Sequence, residues 1–111
     1  MSEGLVSFDE FQKMDLRVGR VVKVEDHPNA DKLLVIQVDI GGGETRQTVA
    51  ALKGHYTAEE LMGKTAACIC NLEPATLRGE RSEAMVLAAQ HGEQVVLIVP
   101  EQEMEPGSKI L

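Results

Sequence analysis

Between two valine-rich segments the chain runs His27-Pro28-Asn29-Ala30-Asp31-Lys32-Leu33. An imidazole, a carboxamide, a carboxylate and an ammonium so close together serve one of two ends. As a binding surface, Lys32 offers a point charge to a phosphate, and Asn29 offers a donor and an acceptor to a base edge or a ribose hydroxyl. As an ordinary turn, Pro28-Asn29 reverses the chain, Asp31 caps it and Lys32 is solvated. His27 reads by itself as structural, hydrogen-bonded to the loop backbone. The seven residues taken alone leave both open.

Other groups capable of chemistry are fewer. Arg46 follows the glycine run Gly41-Gly42-Gly43. With Val49 pointing inward, Arg46 projects from the open face of its strand, free to grip a phosphate or stack on an unpaired base; the alternative is an ion pair with Asp39 or Glu44. Arg78 and Arg81 flank Gly79 in a loop interleaved with Glu80 and Glu83, which reads by itself as a solvated, self-neutralising segment. Cys68 and Cys70 are one residue apart. On a strand they share a face with Cα atoms ~7 Å apart, too far for an unstrained disulfide, so two reduced buried thiols are expected. A zinc site needs four ligands, and His27, His55 and His91 are scattered, so no metal or cofactor is implied. The glycine run lacks the Gly-Lys-Ser/Thr ending of a phosphate loop, and no nucleophile–base–orienter pattern is present. The expectation is a non-catalytic binding module.

The elements that position these residues read as strands with two short helices. Ser7 with Glu10 and Thr57 with Glu60 are capping-box patterns, the first with Phe8 and Phe11 on one side of its helix, the second closed by Gly63. From Leu16 the period becomes two: Leu16, Val18, Val22 and Val24 alternate with Arg17, Val21 and Lys23, and Gly19 marks a bulge or sharp bend. Leu34, Ile36, Val38 and Ile40 form a second strand, which the glycines turn into a third over Thr45–Leu52. "KTAACICNL", "SEAMVLAA" and "EQVVLIVP" read as further strands, the last ending at Pro100, and the tail is polar except for Ile110 and Leu111. A helix between the third and fourth strands of a curved five-stranded sheet is the plan of the OB-fold, an all-β Greek-key barrel. Periodicity alone also permits an SH3-like barrel or a small sandwich.

A chain of 111 residues, 43% hydrophobic, suits one domain, taken here as residues 1–111 with a core over about 7–100. Only Phe8, Phe11 and Tyr56 are aromatic, so a platform of stacked rings would be thin. The formal charge of −7 argues against nucleic acid or an anionic membrane. Its distribution softens this. The excess acid lies in residues 1–15, where Glu3, Asp9, Glu10 and Asp15 face Lys13 alone, and in residues 82–111, while residues 16–81 hold nine basic and nine acidic side chains. No stretch approaches the ~20 apolar residues of a membrane span, and the acidic N-terminus is not a signal peptide, so the expected location is cytoplasmic.

The run "FDEFQKMDLRVGRVVKVEDHPNADKLLVIQVDIG", continuing through "NLEPATLRGERSEAMVLAA", resembles the tRNA-binding domain found at the C-terminus of methionyl-tRNA synthetases and as stand-alone dimeric tRNA-binding proteins. The resemblance covers about residues 7–100. It rests on "DLRVG", "HPNADKL" and the late pattern Leu77-x-Gly79-x-x-Ser82-x-x-Met85 occurring together. It implies an OB-fold that holds tRNA without strong sequence preference and does no chemistry of its own. Carried onto this chain, it implies a tRNA surface of His27, Asn29, Lys32, Arg46, Arg78, Ser82 and Met85. Ser82 would act as a hydrogen-bonding group and Met85 as an adaptable apolar surface for a base. It also implies a homodimer, for which Leu5, Val6, Ile110 and Leu111 are candidate cover, and an association with methionyl-tRNA synthetase. Two departures are visible: Ala84 stands where the family has Gly, and Ala50-Ala51 where it often has Ser-Gly. Both place methyl groups near the implied RNA face. An export-related, chaperone-like branch of the same fold binds unfolded peptides, but it lacks a clear "HPNADKL" loop.

Overall fold

The computed structural model describes residues 4–111; Glu3 of the acidic N-terminal flank lies outside them. In chain order the elements are α1 (Phe8–Gln12), β1 (Leu16–Asp26), β2 (Leu34–Gly41), β3 (Glu44–Ala50), α2 (Ala58–Leu61), β4 (Thr65–Ile69), β5 (Ala75–Leu77), β6 (Glu80–Ser82), β7 (Met85–Val86), β8 (Ala88–His91) and β9 (Gln94–Leu97). Both capping boxes form. Ser7 Oγ accepts the Glu10 N–H at 3.1 Å, and Thr57 Oγ1 accepts the Glu60 N–H at 3.1 Å, with each glutamate reaching back to the cap N–H. Phe8 and Phe11 stack at 6.4 Å between ring centroids, yet α1 buries no residue. In α2 Leu61 is fully buried, and Gly63 follows at φ +79, the left-handed conformation a helix end favours.

The main sheet has the order β3-β2-β1-β4-β7, all antiparallel. Its curvature comes from β1, which pairs with β4 over Leu16–Arg20 and with β2 over Arg20–Asp26, changing partner at Arg20. Gly19 sits at that change. A Cβ there would collide with the Val38 side chain, so the glycine lets β1 pass close over β2. The bulge itself lies between Val21 and Lys23. The alternation read from sequence is corrected here: Val21, not Val22, faces the core, Val22 is the exposed extra residue, and the bulge then turns Val24 back toward the core. Between β2 and β3 the turn residues Gly42 and Gly43 have φ +66 and +78, the paired positive values a two-residue hairpin demands.

The sheet closes into a barrel where β3 meets the segment before β7. The Glu83 N–H donates to the Gln47 carbonyl at 2.8 Å, and the Val49 N–H donates to Ser82 Oγ at 3.0 Å. Inside lie Ile36, Ile40, Leu61, Val38 and Cys68, all essentially inaccessible. This is the OB plan, with α2 between the third and fourth barrel strands. The later strands differ from the sequence expectation. "SEAMVLAA" is divided: only Met85–Val86 joins the barrel, and Ala88–His91 pairs with Gln94–Leu97 as a separate hairpin. Residues 75–82, read as a loop, form the hairpin β5–β6.

The C-terminal segment is also part of the structure. The Val18 N–H donates to the Ser108 carbonyl at 2.8 Å, the Gly107 N–H to the Val18 carbonyl at 2.7 Å, and the Ile110 N–H to the Leu16 carbonyl at 2.9 Å. The tail thus supplies the neighbour that β2 does not give to the first half of β1. It also passes close to the Gly41 corner, where a Cβ on Gly107 would stand 2.9 Å from the Gly41 Cα. Ile110 is partly buried there beside Val18, Ala67 and Ile98, whereas Leu5, Val6 and Leu111 are exposed.

Candidate functional site

The loop between β1 and β2 is closed at its neck by the His27 N–H donating to the Leu33 carbonyl at 3.1 Å. His27 is buried, and both ring nitrogens are used. Nδ1 accepts the Asn29 N–H at 2.9 Å, and Nε2 lies 2.8 Å from the Leu77 carbonyl, to which it can only donate. These partners select the neutral tautomer with its proton on Nε2. The imidazole therefore joins the loop to the β5–β6 hairpin and offers nothing outward. Asn29 and Lys32 are exposed above it.

At the tip of that hairpin Arg78 and Gly79 have φ +51 and +93, the turn geometry already seen at Gly42-Gly43. Arg78 is the one non-glycine residue with positive φ among the described residues, a conformation costing ~1–2 kcal/mol in an L-residue. The hairpin is held in it from both ends. His27 binds Leu77 at the tip, with Asn29 Nδ2 at 3.5 Å from the Arg78 carbonyl, the outer limit of a hydrogen bond. At the base Gln47 Nε2 donates to the Arg81 carbonyl at 2.7 Å. Ser82 Oγ accepts from Val49 and donates to the Ala84 carbonyl at 3.2 Å, so its only proton is committed within the protein. Ser82 fixes the hairpin instead of presenting a donor to a ligand.

Two adjoining clefts result. Asn29, Ala30, Asp31, Lys32, Leu33 and Arg78 line the first, of about 360 Å³. The second, of about 450 Å³, has a floor that includes Ala50, Ala51, Leu52, Val86 and Val95, with Met85 beside them and Lys32, Lys53 and His55 among its polar lining. Lys32 belongs to both. Four of the seven residues singled out from the sequence, Asn29, Lys32, Arg78 and Met85, are thus brought together, with His27 and Ser82 beneath as supports. Arg46 is not among them. It stands opposite Val38, whose side chain is in the core, so Arg46 starts from the inner side of the sheet and pairs with Glu44 at 3.0 Å. Val49 is buried on the opposite, outer side against Val35, under the hairpin. Arg46 lies four residues, roughly 13 Å, along β3 from Ala50. Ala84, expected near the RNA face, is buried in the core. Sequence reasoning passed over Lys53 and His55, which lie in a short loop with no pattern to mark them.

Charge pairing sharpens the picture. Of the eleven Lys and Arg side chains, six form ion pairs: Arg17, Arg20, Lys23, Arg46, Lys53 and Arg81. Lys32 and Arg78 are among the five that form none within the described residues. In a chain of net charge −7, Lys32 stands where the clefts meet and Arg78 lines the first of them.

The other motifs are structural. Asp15 holds Arg17 through two hydrogen bonds of 2.9 and 2.8 Å, and Arg17 Nη1 donates to the Ile40 carbonyl at 3.0 Å. The Asp15 contact pushes the guanidinium pKa further upward, so this fork stays charged. Asn71 accepts the Asp15 N–H at 2.8 Å and donates to the Lys13 carbonyl at 2.7 Å, tying α1 to the barrel. Cys68 and Cys70 are free and buried. The neighbouring Cys70 thiol and the burial push the Cys68 thiol well above its ordinary range. Among the described residues no group of three or more His, Cys, Asp and Glu could hold a metal ion, and no helix is long and apolar enough to cross a membrane.

The family model described as "Putative tRNA binding domain" matches residues 16–109. The chain belongs to the tRNA-binding domain family. It is 54% identical over 105 residues to the methionine–tRNA ligase of Thermococcus kodakarensis and 52% identical to that of Pyrococcus furiosus, in each case over 95% of this chain. It spans 14% of the length of either ligase. Among solved structures it resembles a MetRS related protein from Pyrococcus horikoshii, with a TM-score of 0.87 and 32% identity over the full length of both chains. It also resembles the chaperone CsaA of Bacillus anthracis, with a TM-score of 0.86 and 29% identity over 97% of this chain and all of that one.

Proposed function

We propose that this tRNA-binding domain holds tRNA on the face where the 27–33 loop meets the β5–β6 hairpin. The observation that carries the reading is the convergence of Asn29, Lys32 and Arg78 on one cleft, with both cations outside the ion pairs formed among the described residues. Lys32 and Arg78 take backbone phosphates, and Asn29 takes a ribose hydroxyl or a base edge exposed at a corner of the tRNA. His27 and Ser82 act beneath them as positioning residues. The domain is a single unit over residues 1–111 and carries out no chemistry. It raises the local tRNA concentration for methionyl-tRNA synthetase, as a domain of it or as a separate homodimeric protein in the cytoplasm. Leu5, Val6 and Leu111, exposed outside the barrel, suit the dimer contact. Titration of tRNA at several salt concentrations tests this: the expected result is saturable binding that weakens with salt, and no binding at low salt would refute it.

The likeness to CsaA and the apolar floor of the second cleft favour one competing reading, capture of unfolded peptide. Suppression of the aggregation of an unrelated unfolded protein, without tRNA binding, would establish it instead.

A further inference from the structure

The larger cleft has a property that the tRNA reading leaves unused. Its lining is mainly apolar, from Ala50, Ala51, Val86, Met85 and Val95, and Lys32 and Lys53 complete it together with Thr48, His55 and Gln90. The Ala50-Ala51 pair leaves no side-chain hydroxyl at that point of the wall. Lys53 is held only by an exposed contact of 3.4 Å to Asp26, an ion pair of the kind that yields readily to a competing anion. An apolar slot with cations beside it, joined through Lys32 to the phosphate-facing cleft, complements one nucleotide: a planar apolar face with a phosphate at its edge. A volume of about 450 Å³ falls in the range of small-ligand sites and is too small for a base pair in its helix.

We infer that this cleft seats a single unpaired nucleotide of the bound tRNA by packing against Met85 and the Ala50-Ala51 wall, with Lys53 as a second phosphate contact beside Lys32. The inference rests on the tRNA reading and goes beyond it. The methyl groups press on the face of a base and do not read its edge, so any preference among bases rests with His55 and Gln90 in the same lining. The flexible thioether of Met85 takes the place of the aromatic platform that the chain lacks.

The test compares total tRNA with a fully paired RNA duplex as ligands. The proteins are the wild type, the cleft-filling variants Ala51→Trp and Ala88→Leu, and the charge variants Lys53→Ala and Lys13→Ala. Ala51 and Ala88 are exposed, so filling the cleft from either side leaves the core intact, and thermal melting checks that it does. The expected result is loss of about tenfold or more in tRNA affinity for both filled variants, at the scale of one lost base contact, with duplex binding unchanged. Lys53→Ala flattens the dependence of log affinity on log salt by about one unit, and Lys13→Ala, which lines neither cleft, does not. Wild-type binding that is lost in Lys32→Ala yet unaffected in both filled variants would overturn the inference and keep the tRNA reading. Absence of wild-type binding at low salt would overturn both. Filled variants that lose capture of an unfolded polypeptide but keep tRNA would assign the cleft to peptide and refute the inference.

Discussion

His27 Nε2 donates to the carbonyl of Leu77 at 2.8 Å, joining positions 50 residues apart. The two sequence motifs that mark this family, the 27–33 loop and the hairpin before Met85, are therefore one structural unit. The imidazole is the pin between them.

Removing the pin tests its role. His27→Ala removes two hydrogen bonds, to the Leu77 carbonyl and from the Asn29 N–H, together with a buried ring, and two such bonds are worth ~1–3 kcal/mol. Urea unfolding should show a loss of that size. tRNA affinity should fall as well, although the ring touches no ligand, because Asn29 and Arg78 are no longer held at a fixed separation. Loss of stability with full affinity would show that the loop and hairpin bind independently.

A second prediction concerns Arg17. Its fork holds Asp15 with two hydrogen bonds and the Ile40 carbonyl with a third. Lysine keeps the charge but cannot reproduce that planar geometry. Arg17→Lys should lower stability by ~1.5–3 kcal/mol, in the range for hydrogen bonds to charged groups, and leave tRNA affinity within about twofold. A large loss of affinity at unchanged stability would place Arg17 on the RNA surface instead.

Gly19 is expected to be intolerant for a reason of space. Its φ is ordinary, but an added methyl would meet Val38 in the core. Gly19→Ala should destabilise by ~1–3 kcal/mol, the usual result of overpacking. Pairing it with Val38→Ala should recover part of that loss, measured by the same unfolding curves. No recovery would mean that the strain lies in the backbone of β1.

Cys68 should be inert in the folded protein. It and Cys70 are both buried, and the Cys68 thiol is held in its protonated form by that neighbour and by burial. A thiol reagent at pH 8 should modify Cys68 only after denaturant is added. Reaction at the same rate with and without denaturant would contradict the buried assignment.

The sequence was most legible where structure is decided locally. Ser7–Glu10, Thr57–Glu60 and the glycine turn all formed as read, because each depends on residues within one turn of chain. The bulge after Val21 was not legible, since alternation cannot show where one residue is skipped. The β5–β6 hairpin was hidden by its charges and by Arg78, whose positive φ is imposed by contacts at both ends of the hairpin and is not preferred by its own side chain. The pairing of Ser108 and Ile110 with β1 joins residues some ninety positions apart, beyond any local pattern. Around the two clefts, the motif pointed to Asn29, Lys32, Arg78 and Met85, which the fold brings together. Arg46 lies apart from both clefts, which the sequence could not show because both faces of β3 carry buried residues at Thr48 and Val49, so burial does not reveal which side a neighbour faces.

The most direct test of the account is the salt dependence of tRNA binding by the wild type, Asn29→Ala and Lys32→Ala. The account predicts saturable binding that weakens with salt. Lys32→Ala should weaken it to a similar degree for different tRNAs and reduce the slope by about one phosphate contact. Asn29→Ala should lower affinity with little change of slope. Affinity and slope identical to wild type in both variants would contradict the account, because tRNA would then be held somewhere other than the face formed by the loop and the hairpin.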